Sequence, residues 1–136
     1  GFVRLEDGVM TAKFMPRASV DSMLYDSMDK IALLGQLTGF EVRFADVSPG
    51  WKYEEESSVR ELMTRVARER FGRAFQVGKI HAGLECGVFT SRIPGMDAIS
   101  IGPRTEDIHT PAERLDTDSF SITYAFVKAV LEEMAK

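Results

Sequence analysis

Cysteine is almost missing from this chain. Cys86 is the one thiol, so no internal disulfide can form, and a reducing, cytoplasmic setting is the expectation. Histidine is nearly as scarce. His81 and His109 are the two imidazoles, and no H-x-x-x-H, H-E-x-x-H or C-x-x-C pair accompanies them. A closed metal site of familiar spacing is therefore excluded within these residues. Positive charge is not in excess either. Seventeen Lys and Arg face 21 Asp and Glu, giving a net charge of -4 with the two signs interspersed. Nucleic acid is a poor partner for such a surface. No apolar run approaches the roughly 20 residues that span a bilayer, so no membrane partner is expected. A lead-in is lacking as well. The chain opens on Gly1 and passes directly into the strand-like Phe2-Val3-Arg4-Leu5, which predicts a piece of a longer polypeptide.

What is present is enough for a core. Apolar residues make up 44% of the 136, the size of one ordinary domain or two parts of larger ones. Phe2–Glu6 and Val9–Phe14 flank Asp7-Gly8, a pair suited to the positive φ of a tight hairpin turn. Ser19 reads as the N-cap of a helix reaching Thr38. Val20, Met23, Leu24, Met28, Ile31 and Leu34 form its apolar face, and Gly39 stops it. Phe40, Val42 and Phe44 alternate with polar residues, which predicts a strand with one wet face. Pro49-Gly50 then marks a boundary.

The second part reads α-β-α-β-α. Ser58 and Glu61 suggest a capping box, followed by the stripe Val59, Leu62, Met63, Val66 and Ala67, with Gly72 as the stop. Phe75–Ile80 and Ala98–Ile101 read as strands, and 81–89 as a glycine-punctuated turn into a helix. A last helix begins near Asp116 or Thr117. Phe120, Tyr124, Val127, Val130, Leu131 and Met134 are its expected core face. The fold class is thus α/β, with a β-β-α-β segment leading.

Three places carry candidate chemistry. The stretch "TEDIHTPAER" sets His109 among Glu106, Asp107 and Glu113, after a buried-type strand. A neutral imidazole there reads either as a zinc ligand with a carboxylate nearby or as an ordinary loop histidine. Pro111 and Arg114 shape the loop on either reading. The stretch "HAGLECG" puts Glu85 and Cys86 between Gly83 and Gly87, with His81 just before, which suits either a close backbone approach to a ligand or a tight packed turn. Cys86 reads as an inert thiol rather than a nucleophile for His81. The run Glu54-Glu55-Glu56 suits a solvated region before a helix N-terminus.

Four stretches taken together, "SPGWKYEEESSVRELM", "IHAGLECGVF", "DAISIGP" and "IHTPAERLDTDSF", resemble the C-terminal part of aminoacyl-histidine dipeptidases. These form a branch of the di-zinc metallopeptidases. The resemblance spans essentially the whole chain, though residues 1–46 follow it by pattern more than by motif. It implies that 1–47 is the end of a lid or dimerisation domain and 48–136 the C-terminal part of a catalytic domain. It places His109 as the last zinc ligand, with Glu113 bracing the loop behind that ligand. It makes His81 and Glu85 substrate-binding residues, softer assignments than His109. His81 stands where relatives carry an arginine. The family's H-x-D motif does not occur here, and its bridging aspartate and the Glu-Glu pair that includes the general base belong to an N-terminal half which these stretches do not match. The resemblance therefore implies a fragment of a dipeptidase acting on Xaa-His or similar dipeptides through a zinc-activated water, inactive by itself and prone to self-association. The alternative is a stand-alone binding or dimerising module without catalysis.

Overall fold

A computed structural model describes residues 1–78 and 84–136. Two short antiparallel hairpins and four helices follow one another along the chain. They are β1 (Phe2–Glu6), β2 (Val9–Lys13), α1 (Asp21–Thr38), α2 (Ser58–Phe71), α3 (Glu85–Arg92), β3 (Thr105–Glu106), β4 (Arg114–Leu115) and α4 (Thr117–Met134). The mixture of helix and strand agrees with the α/β expectation. The residues cluster into two units. One holds Gly1–Tyr53 with α3 and the residues up to Pro94; the other holds α2 and Gly95–Lys136.

In the first unit, Asp7 and Gly8 take φ of 50° and 78°, so the expected turn closes β1 on β2. All ten strand residues are exposed. The N-cap of α1 is Val20 rather than Ser19, and no side chain caps it. The Asp21 carboxylate in the first turn instead accepts from the Gly50 N–H at 2.6 Å. Gly50 must be glycine-sized there, because a Cβ would lie 2.7 Å from the Ser19 carbonyl oxygen. The Pro49-Gly50 turn thus folds back onto the start of α1. Gly87 of α3 sits close to the same turn, where a Cβ would stand 3.1 Å from the Pro49 oxygen. Gly39 ends α1 at φ 74°, and the Gly35 carbonyl accepts from both the Gly39 and Phe40 N–H groups.

The expected strand at 40–44 is not formed. Its alternation is real, but a strand exists only where a neighbour takes its backbone hydrogen bonds, and no described segment pairs with it. Val42 packs instead against the bare backbone of Gly35. The buried line of α1 runs through Leu24 and Gly35, leaving Met23 and Leu34 of the expected face exposed.

The second unit is built on α2 against α4. Met63, Val66, Ala67, Phe126, Ala129 and Val130 are its buried core, with Val59, Leu62, Phe71 and Ile99 packed around them. Every residue expected on the α2 stripe belongs to this cluster. Phe126 meets the rings of Phe71 and Phe75 edge-on, at centroid distances of 5.7 and 4.8 Å. Arg65 and Arg70 reach Glu133 and Glu132 along one border of the pair.

The α4 face is a correction. Phe120, Tyr124, Leu131 and Met134 are more than half exposed, and of the expected face only Val130 is buried. Helix α4 is apolar around most of its circumference, so period alone does not choose a side. The side that wins carries the small Ala129, which enters the same core as Ala67, and is bordered by acids matching the α2 arginines. The α2 cap also shifts by one residue. Ser57, not Ser58, accepts from the Arg60 N–H. The segments 75–78 and 98–101 form no strand for the same want of a paired neighbour, and Ile99 packs on the core as loop.

Candidate functional site

The His109 loop lies in the second unit, between β3 and β4. β3 and β4 set Thr105 opposite Leu115 and Glu106 opposite Arg114. This hairpin, with two residues in each strand, is too short to leave an alternating pattern in the sequence. Its foot is tied to the start of α4. The Asp116 N–H donates to the Arg104 carbonyl at 3.0 Å, and the Arg104 N–H donates to Ser119 Oγ at 2.8 Å. Asp116 in turn caps the helix through the Ser119 N–H at 2.9 Å. The pattern Asp116-x-x-Ser119 was the available signal for that anchor.

Within the loop, two non-glycine residues take left-handed backbone. Asp107 has φ 52° and His109 has φ 66°. Each such residue costs on the order of 1–2 kcal/mol, which the surroundings must offset. Three sets of bonds do so. The Glu113 carboxylate accepts from the His109 N–H at 2.8 Å. Thr110 Oγ donates to the Asp107 carbonyl at 2.7 Å. The Arg114 guanidinium bridges Asp107 and Glu106, with 2.6 Å to Glu106 Oε2, while Arg104 holds the other oxygen of Glu106 at 2.9 Å. These four charges form one exposed network rather than isolated pairs.

The result is an exposed imidazole on a braced support. Among the described residues, the His109 ring makes no hydrogen bond or ion pair. Glu113 lies beside His109 but meets its backbone, not its ring. Glu85 is exposed in the other unit, as the first residue of α3. Cys86 beside it is a free, partly covered thiol. His81 lies outside the described residues.

The donor set does not make a complete metal site. Among the described residues, no three His, Cys, Asp or Glu side chains stand together so as to hold a metal ion. His109 offers a single nitrogen ligand. No helix of the described residues is long and apolar enough to cross a membrane.

A second polar constellation caps α2. The Asp97 carboxylate accepts from Ser57 Oγ at 2.8 Å, Ser58 Oγ at 3.2 Å and the Val59 N–H at 3.0 Å. Burial pushes its pKa up, but these hydrogen bonds outweigh that and hold the carboxyl below its ordinary value of 3.8. Sequence spacing gives no signal for a partner so distant in the chain.

The chain is 29% identical over 134 residues to the cytosol non-specific dipeptidase of Escherichia coli (strain K12). That match takes in 98% of this chain and 28% of that protein's length. This chain is a distant homologue of a dipeptidase. No known family profile matches it, and no solved structure does.

Proposed function

We propose that this chain is the C-terminal part of a metal-dependent dipeptidase, and that His109 is one of its zinc ligands. The dipeptidase relative is matched along nearly all of this chain but little more than a quarter of its own. The one observation that carries the metal assignment is the His109 loop. Two residues are held in costly backbone conformations, and the ring they present has no partner among the described residues. Strain of that kind is retained where a side chain must be aimed.

The uncovered surface supports the fragment reading. Large apolar side chains lie exposed on the outer side of α4 and on both faces of the β1–β2 hairpin. We assign the cover to the rest of a longer polypeptide, with self-association of the isolated chain as its substitute. Residues 1–47 belong on this reading to a lid or dimerisation domain and 48–136 to a catalytic domain.

The substrate is a dipeptide, of the Xaa-His kind or broader, and the setting is cytoplasmic. His81 and Glu85 belong to the substrate side. A bound pair of zinc ions would supply a water acidic enough to attack the peptide carbonyl near neutral pH. What this chain contributes is a fixed imidazole. Among the described residues His109 is the one ligand assigned, too few for turnover by the isolated chain.

The test is hydrolysis of Gly-His and β-Ala-His by the purified 136-residue chain with added zinc. No turnover is expected. Turnover by this chain alone would overturn the fragment reading.

A further inference from the structure

We propose that Arg114 is the positioning residue of the His109 loop, a role that rests on the reading of His109 as a metal ligand. Asp107 and His109, two positions apart, both adopt left-handed backbone. Glu113 reaches the His109 N–H only if the turn between them is already closed. Thr110 helps close it, accepting from the Ala112 N–H at 3.2 Å and donating to the Asp107 carbonyl. Arg114 follows Glu113 directly and pairs with Glu106 across the hairpin. Its two terminal nitrogens divide between Glu106 and Asp107, the residues that lead into the turn.

One side chain therefore joins the way in and the way out of the loop. Asp107 receives the charge that keeps it left-handed, and Glu113 is placed one residue from that anchor. The planar guanidinium is suited to this because its nitrogens are fixed in a fork. A lysine ammonium is a single point and cannot hold both carboxylates in the same geometry. Arg114 touches neither the imidazole nor any group that would react. It acts through the backbone of the residue that carries the ligand.

Amide hydrogen exchange at His109 in the 136-residue chain reads this directly, because that N–H is the one Glu113 accepts. In R114A and E113A the His109 amide is expected to exchange roughly tenfold faster. R114K is expected to lie between these and the parent sequence. The amides of Val66 and Val130 in the core are expected to be unchanged and report that the unit is folded. If R114A loses that core protection, R114K with an intact core decides the matter. His109 exchange at the unaltered rate in every folded Arg114 variant would overturn the proposal, as would no change in E113A.

The zinc content of the longer protein separates this claim from the one beneath it. R114A is expected to retain less zinc than the unaltered protein, with R114K in between. Unchanged zinc in R114A alone, beside lost zinc in H109A, would overturn the role of Arg114 and leave the ligand reading standing. Unchanged zinc in H109A would remove the ligand reading itself.

Discussion

The Glu113 carboxylate holds His109 by its backbone N–H, at 2.8 Å, and leaves the ring alone. This separates two tasks. The carboxylate offsets the cost of a left-handed histidine, and the imidazole keeps both nitrogens for other partners. A Glu113–imidazole bond would have fixed the ring tautomer instead. The loop is thus organised from its backbone outward, with Arg114 and Thr110 completing the turn.

The cap of α2 gives a first prediction. Ser57 Oγ both accepts from the Arg60 N–H and donates to Asp97. Ser57→Ala is expected to lower the stability of the α2–α4 unit by about 1–2 kcal/mol. A urea melt followed by helix signal measures it. Ser58→Ala, one residue on, removes only a 3.2 Å contact and should cost less.

Asp97 gives a pH prediction. Its folded carboxyl lies below its ordinary value of 3.8, because hydrogen bonds from Val59, Ser57 and Ser58 outweigh the opposing effect of burial. Below that ordinary value the unfolded chain binds the proton more readily than the folded one. Stability from this group is therefore fully present above the ordinary value and is lost as pH falls through the folded one. Asp97→Asn is expected to flatten the acid side of the stability profile, measured as urea midpoint against pH. An unaltered acid slope in that variant would rule out the contribution.

Gly35 gives a packing prediction. A methyl at this position would overlap Val42 and crowd the Phe40 carbonyl. Gly35→Ala is expected to destabilise the first unit by about 1–3 kcal/mol despite alanine's better helix propensity. Gly35→Ala with Val42→Ala should recover part of that loss. Denaturation of the single and double variants measures the coupling.

In the core of the second unit, Val66 is only 2% exposed and belongs to the buried cluster. Val66→Ala is expected to cost about 2 kcal/mol, read from thermal or urea unfolding. Leu131→Ala, on the uncovered side of α4, should change stability little in the isolated chain.

The elements that could be read from the residues are those whose cause is local. Asp7-Gly8, Gly39 and Gly72 mark their turn and stops through backbone conformation alone. The α2 stripe was legible because that helix is apolar on one side and charged on the other. Helix α4 was not, since apolar residues surround it, and Ala129 together with the acids facing the α2 arginines selects the buried side. The strands expected at 40–44 and 98–101 failed for a related reason. Alternation describes a face, but a strand needs a partner, and no described segment supplies one. At the candidate site, the residue types of the His109 loop stood in plain view. The atoms that meet did not, because a carboxylate meeting a backbone N–H rather than a ring is a matter of φ and reach. The Asp97 cap, made by a residue 40 positions from Ser57, had no local signature.

The central claim is that His109 is one ligand of a metal centre completed by residues outside this chain. Its most direct test is the zinc content and dipeptide turnover of the longer protein carrying His109→Ala. The account predicts loss of at least part of the bound zinc, together with loss of turnover. Full zinc occupancy with unimpaired hydrolysis in that variant would contradict it.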